Sequence, residues 1–528
     1  MTSTTYAHEY ASMILRRNRV PMPHADFVPN WADKPRPTKH YPGALTFPLP
    51  DAAPESDGPQ GTFTLPVLAS MLRDSYGLTG RRLAIQANTD VHGYPWYARA
   101  NWSRGTASGG GLYPCSIYWV AGPGARGGGR IEQSPDAGVC PGVYHYSIRR
   151  HAMQRLLAGD VTRQVRDALT VPVDASQFLV VGVKYWANAF KYNTFSYHAV
   201  SMDVGTVLQT WRQLCGDRRP VEPHFWFDQE ALGRLLGLPA DEEGLFAVVP
   251  LPWSTRVATE TGPAPDGVAV RRRDEERSRV VLTFDPVRRI HRTTARAATD
   301  RPVPGALAAA AATAPPAGGD RVALPPAPPP TMPVRDALAR RRSSFGRFDA
   351  SRALSTGDLA ALLVAAHVAH LPTEVAAPGD GHLAKLYVFV NHVRGVAPGS
   401  YAYDPARHDL RPIRPGPPGM FLQRNYFLPN YNLEQAAVVV VPAVRVGDVL
   451  DAVGPRGYNV VNATIGAVAQ SFYTAAAALD LGCGVALGFD GVSYIEELDL
   501  DGTGETPLLI MLAGHERALP SDYRYDLR

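Results

Sequence analysis

Residues 191–211, KYNTFSYHAVSMDVGTVLQTW, lie without a gap on residues 452–472, AVGPRGYNVVNATIGAVAQSF, with shared Tyr, Gly, Val and Gln positions. Two further pairs keep the same order along the chain. FTLPVLASML (63–72) matches LSTGDLAALL (354–363), and GVYHYSIRRHAM (142–153) matches GSYAYDPARHDL (399–410). The last pair repeats Gly-x-Tyr-x-Tyr with a histidine at equal spacing. Ordered self-similarity of this kind marks an internal duplication, so the chain is constrained to build one fold twice.

Each copy has the same grammar: a helix, a loop, and a β-branched and aromatic strand (117–120; 386–390). A Tyr-rich hairpin follows, then a second strand (178–183; 436–441), a long amphipathic helix and a closing strand. Val200, Val204, Val207, Leu208, Trp211 and Leu214 share one stripe of the first long helix; Ile465, Val468, Phe472 and Leu479 share one in the second. Strands and helices mixed without βαβ alternation predict an α+β fold. The stretch at 296–331, rich in Pro and Ala, reads as a semi-rigid linker that buries no core. It separates a first domain (1–254), followed by a charged arm (255–295), from a second domain (332–528).

A formal charge of only +4 on 528 residues, with no basic run interleaved with aromatics, argues against nucleic acid as the partner. Cys115, Cys140, Cys215 and Cys483 are scattered without a CxxC or metal-ligand spacing, which predicts free thiols and no metal site. The N-terminus lacks a signal-peptide core, and AAVVVVPAV (436–444) is too short to span a bilayer. A cytoplasmic protein with no membrane partner is expected.

Two motifs carry chemistry. RGTASGGGLYP (104–114) has the glycine density of a phosphate loop, but no Lys-Ser/Thr pair follows, so it is not a P-loop. ARRRSSFGRFD (339–349) offers forked guanidinium donors and hydroxyls just before an apolar helix, which is good chemistry for a terminal phosphate.

Together these elements resemble the nitroreductase-like FMN enzymes, and within them the SagB-like azoline dehydrogenases of ribosomal peptide biosynthesis. The resemblance rests on the Arg-Arg-Ser element, SGGGLYP (108–114), GVYHY (142–146) and the Lys191–Tyr192 pair, found in family order. It implies two nitroreductase-like domains in tandem, each an antiparallel-rich mixed sheet flanked by helices, fused as a pseudo-dimer around interfacial FMN. By the same resemblance, Arg341, Arg342, Ser343 and Arg347 hold the phosphate, with Arg517 beyond the last strand. Ser108, Gly109 and Gly110 lie against the flavin, and Gly482 and Gly484 bring backbone amides to its redox edge. Lys191 and Tyr192 serve catalysis.

The departures matter too. The first copy reads LPDAAPES (49–56) where the second has its arginines. The second reads APGDGHL (377–383) at the glycine-loop position and Ala452-Val453 in place of Lys-Tyr. Phe345 stands where many relatives have another arginine, which leaves open whether Arg347 substitutes for it. Losing two or three charged hydrogen bonds costs on the order of 5 kcal/mol, so a single composite FMN site per chain is expected.

The activity implied is FMN-dependent oxidation of thiazolines or oxazolines to azoles, of the kind found in thiopeptide-type pathways. An azoline-bearing precursor peptide is the expected partner, with the cyclodehydratase of the same pathway a further candidate and dimerisation beyond the internal pair left open. Two other readings stand beside it: an NAD(P)H-dependent nitro- or ene-reductase, and a non-catalytic peptide-binding scaffold. His151 and His408, at equivalent repeat positions, read as structural. Asn188, Asn193 and His198 carry no motif.

Overall fold

The computed structural model describes residues 5–51, 60–83, 100–124, 139–254, 267–315, 319–377, 379–518 and 523–527. In the first half the apolar runs Cys115–Ala121 and Gln177–Lys184 are buried on both faces and pair at the centre of a sheet. The order across that sheet is Leu45–Pro48, Ala152–Ala158, Gly142–Ser147, Cys115–Ala121, Gln177–Lys184 and Glu243–Pro250. The second half repeats it with Val322–Ala323, Asp409–Pro415, Gly399–Asp404, Lys385–Val390, Val438–Val444 and Ile510–Gly514, then adds Gly482–Ala486 at the edge. Neighbouring strands in both sheets pair antiparallel. The chain is therefore an α+β pseudo-dimer in which one antiparallel sheet order occurs twice.

The repeat extends to irregularities. Register shifts fall between Val143 and Tyr144 and between Ser400 and Tyr401, equivalent positions of the two hairpins. His151 and His408 both take left-handed backbone, φ 44° and 53°. Each ring Nδ1 lies 2.9 Å from a tyrosine hydroxyl, Tyr146 and Tyr403 respectively. Both histidines thus close a hairpin turn.

The halves meet along the helices Ser196–Cys215 and Gly457–Ala478. A Cβ on Gly205 would lie 1.9 Å from the Ala463 carbonyl oxygen, and one on Gly466 would lie 2.0 Å from that of Met202. Only bare backbone permits such an approach. Tyr197 Oη donates to Asn459 Oδ1 at 2.9 Å, and one residue along, His198 Nδ1 lies 2.8 Å from Tyr458 Oη. His198 is thereby placed in the interface core. Val204, Val207, Trp211, Ile465, Val468 and Phe472 are buried in the same contact region.

The Lys-Tyr pair stands before the long helix: Trp186–Tyr192 ends at Asn193, φ 40°, and a new helix starts at Ser196. Two sequence expectations change. The Pro/Ala-rich stretch is not a bare spacer, since Leu307, Ala310 and Leu324 are buried and Val322–Ala323 joins the second sheet. Its residues 316–318 lie outside the described residues. The charged arm belongs to the first half: on helix Asp285–Arg296, His291 Nδ1 lies 2.8 Å from Tyr185 Oη and Arg292 pairs with Asp241. Residues 255–266 of that arm, and 52–56 of LPDAAPES, lie outside the described residues.

Each half also reaches across to the other. Tyr523–Asp526 pairs with Gly80–Leu83 in a small sheet, while Arg19, beyond the helix Tyr6–Arg16, pairs with Asp490 at 3.0 Å. All four cysteines are free. Among the described residues no helix is long and apolar enough to cross a membrane, and no cluster has the makings of a metal site.

Candidate functional site

The glycine loop sits between the halves and is pinned by both. Gly110 and Gly111 take φ values of 63° and 67°, and Tyr113 follows at 51°, so the turn is left-handed. From its own half, Asp203 accepts from Ser108 Oγ at 2.7 Å and from Gly109 N at 2.9 Å, and Thr206 Oγ1 donates to the Ala107 carbonyl at 2.9 Å. From the second half, Gln470 accepts from Ala107 N at 2.9 Å and donates to the Gly105 carbonyl at 3.2 Å. Arg341 donates through Nε to Gly105 O at 2.9 Å and through Nη2 to Arg104 O at 3.0 Å. Arg341 joins the halves in this way, a role that the resemblance did not imply. Arg104 is itself buried, its guanidinium 4.0 Å from the centre of the Tyr113 ring.

Lys191 and Tyr192 close on the loop from the end of their short helix. A Cβ on Gly110 would lie 2.3 Å from Tyr192 Oη and 2.7 Å from Lys191 Nζ, so a side chain there would push both tips aside, while the positive φ itself favours glycine. Lys191 Nζ also stands 4.8 Å from the centre of the Tyr192 ring. The strained Asn193 is tied down by its Nδ2, which donates to the His24 carbonyl at 3.1 Å. Tyr192 faces Tyr426 of the second half, whose hydroxyl pKa is held well above its usual range by burial and by Tyr192.

The arginine–serine element is stitched to the end of the second sheet. Ser344 donates through N to Cys483 O and accepts from Cys483 N, each at 2.8 Å. Ser343 Oγ lies 2.9 Å from Tyr473 Oη, which also accepts from Val485 N at 3.2 Å. Arg342 pairs with Glu516 at 2.5 Å. Arg517 donates through its side chain to Gly346 O at 2.7 Å and through its backbone to Arg347 O at 2.8 Å, and Arg347 is buried. Arg342, Arg347, Arg517, Ser343 and Ser344 therefore converge on one knot. Gly482 and Gly484 have protein neighbours: a Cβ on the first would meet Glu516 and Ser344, and one on the second would meet the Tyr431 ring at 2.4 Å. Phe345, φ 49°, stacks on that ring with centroids 5.5 Å apart.

The donor set fits FMN. Guanidinium and hydroxyl groups gathered at one end suit a phosphate, and a left-handed glycine turn beside Lys191 and Tyr192 offers bare backbone at the other. Arg341 reaches the glycine loop of the other half, Lys191 and Tyr192 stand beside Gly110, and Ser344 stands beside Gly482. Several neighbours were not foreseen: Asp203, Gln470, Tyr473, Tyr426 and Tyr431. Gln470 alone had left a trace, as a position shared between the repeats.

The nitroreductase family model matches residues 338–515. That stretch, about a third of the chain, is similar to the nitroreductase family. The solved structure of a protein named as a nitroreductase from Anabaena variabilis covers 98% of this chain and 100% of its own, with a TM-score of 0.71 and 21% identity, which is a likeness of fold. One from Ralstonia eutropha covers 41% of this chain and 98% of its own, at TM-score 0.29 and 22% identity. A chain of the E. coli microcin synthetase McbBCD complex covers 34% and 70%, at TM-score 0.29 and 19% identity. No curated protein matches. The nitroreductase-family match supports a flavin-dependent oxidoreductase in general terms.

Proposed function

We propose that this chain is an FMN-dependent dehydrogenase that oxidises peptide thiazolines or oxazolines to azoles. The observation that carries the reading is the approach of the Lys191–Tyr192 pair to Gly110, where a Cβ would meet the Tyr192 hydroxyl and the Lys191 ammonium. That pair and that loop are the features by which the sequence resembles azoline dehydrogenases rather than nitroreductases at large. Arg342, Arg347, Arg517, Ser343 and Ser344 would hold the phosphate, and Ser108, Gly109 and Gly110 would lie along the ring. Arg341 would keep the two halves in register.

Aromatising an azoline removes a proton from the α-carbon and a hydride from the neighbouring ring carbon. FMN, when bound, supplies the two-electron acceptor. The chain's own task is the proton. Imine and carbonyl neighbours acidify the α-carbon, so one base suffices, and Tyr192 Oη or Lys191 Nζ takes the proton while the other stabilises its charge. An azoline-bearing precursor peptide would be the substrate, and the cyclodehydratase of the same pathway its supplier.

The test is spectroscopic. Purified protein should be yellow with one FMN per chain, and under anaerobic conditions an azoline peptide should bleach it while leaving an azole two mass units lighter. Rapid bleaching by NAD(P)H with no response to the peptide would sink the reading in favour of a reductase. A protein that stays colourless with added FMN would leave only a scaffold.

A further inference from the structure

Asp203 is buried on the first long helix, 5% exposed, and forms no ion pair with a described residue. A buried carboxylate without a counter-ion is costly, and such groups concentrate where they are used. Its two oxygens hold the glycine loop: Oδ2 accepts from Ser108 Oγ and Oδ1 from Gly109 N. Ser108 Oγ accepts from Tyr113 N at 2.8 Å, so its single hydrogen is directed to Asp203. One residue beyond, Gly110 packs on Lys191 Nζ and Tyr192 Oη. The equivalent residue of the second long helix is Thr464, in the half with neither glycine loop nor Lys-Tyr pair.

We propose that Asp203 is a positioning residue whose charge state sets the glycine loop against Lys191 and Tyr192. The inference rests on the function proposed above and names a control of that same site. As a carboxylate, Asp203 accepts both loop bonds. Once protonated, Asp203 keeps the Ser108 contact only with its direction reversed, Ser108 Oγ accepting, and both loop bonds lose their charge assistance. Slackening there moves Gly110, and with it the surface on which Lys191 and Tyr192 rest.

The surroundings put this change within the neutral range. Burial pushes the Asp203 carboxyl up to about 7 against the opposing pull of the two loop donors. Arg104, Tyr76 and Cys115 stand around it in its own half, Arg104 and Asp203 both acting on the other two. Lys191 and Tyr192 lie across Gly110, and Gln470 and Arg341 meet the loop from the second half.

Hydrogen exchange of residues 105–113 in the full chain, corrected for the intrinsic rate at each pH, tests the proposal without any substrate. The two loop donors pull the carboxyl down against burial, so releasing them while Asp203 stays buried raises it further, and the latched loop gains stability as pH climbs through 7. In the native protein, protection of this segment should therefore rise about tenfold between pH 6 and pH 8, the scale of one charge-assisted hydrogen bond. In Asp203→Asn it should stay low and flat. With the azoline peptide, kcat of the native enzyme should fall below pH 7, and Asp203→Asn should lose that limb with KM changed less than about twofold. Native protection independent of pH would overturn the proposal even if the variant failed to fold. So would protection in Asp203→Asn equal to the native value at pH 8. A pH-dependent loop in a protein that leaves azolines untouched would support the latch and sink the proposed reaction instead.

Discussion

The composite site has a counterpart on the other side of the long-helix crossing, and the two have opposite fates. At the first, a left-handed glycine turn, a Lys-Tyr pair and an arginine–serine knot face one another across the halves. At the second, the chain fills the space with itself. Residues 220–227 take the place of the edge strand Gly482–Ala486: His224 bridges Val248 as Gly484 pairs with Leu512. The backbone amides of Phe225 and Trp226, which follow His224, donate to Glu374 of the second half. Arg212, at the position equivalent to Tyr473, donates to the His370 carbonyl. His367 and His370 pack around His382 with centroids 4.2 and 5.4 Å away. Duplication lets each half lose what the other keeps.

The sharpest break of this comparison is in cofactor binding. Removing two phosphate donors with Arg342→Ala and Arg517→Ala should weaken FMN binding by about a thousandfold, at roughly 1.5–3 kcal/mol per charged bond. His382→Ala at the counterpart should leave it within about twofold. Titrating apoprotein with FMN by fluorescence quenching reads both, and a native stoichiometry near two per chain would refute the single-site account.

Next in size is chemistry. Lys191→Ala and Tyr192→Phe should each lower kcat for azoline oxidation by about a hundredfold or more, within the range of general-base catalysis, while flavin content stays native. Unchanged turnover in both variants would remove the pair from the mechanism.

Two glycine substitutions separate contact from backbone strain. Gly110→Ala and Gly379→Ala both place a side chain at positive φ, 63° and 90°, at about 1 kcal/mol each. A Cβ at 379 has nothing within 4 Å, whereas one at 110 strikes Tyr192 and Lys191. Similar thermal shifts with lost activity only in Gly110→Ala are expected. Equal activities would mean that the loop contact is dispensable.

The smallest effect concerns Glu374, whose carboxyl burial raises to about 7 against the amides of Trp226 and Phe225. A raised folded-state pKa favours the protonated form. This contribution is fully present below the usual carboxylate value near 4.5 and is lost as pH climbs through 7. Glu374→Gln should therefore flatten the decline in Tm between pH 4.5 and 7, by an amount on the order of 1–3 kcal/mol. A parallel decline in the variant would show that the Glu374 carboxyl titrates alike in folded and unfolded protein and that burial does not raise it.

Much of this fold is legible in the residues because the repeat signals are local. Gly-x-Tyr-x-Tyr-…-His is a hairpin with its own bulge and a tyrosine–histidine bond spanning five residues, and it survives duplication intact. The long amphipathic helices are equally plain, since burial of one stripe is written at helical spacing. Of the site, the donors and the glycine turn could be read, but not their partners. Asp203 bonds to residues nearly a hundred positions away, and Gln470 and Arg341 reach more than two hundred. An aspartate between Met202 and Val204 looks like one more residue of a helix until the loop is folded onto it. Glu374 is equally silent, being an acidic residue in a short loop.

The sequence by itself determined that one α+β unit occurs twice, that the glycine loop and the arginines lie in different copies, and that each copy lacks the other's half. Those are properties of residue type and spacing. Only the tertiary structure decided that Arg341 binds the halves together and that the Pro/Ala stretch is packed. It also decided that Glu374 meets the backbone of Phe225 and Trp226, and that Asp203 holds the loop. The reason is physical: burial and hydrogen-bond geometry set what a charged side chain does, and both arise from segments that meet only when the two long helices cross at Gly205 and Gly466.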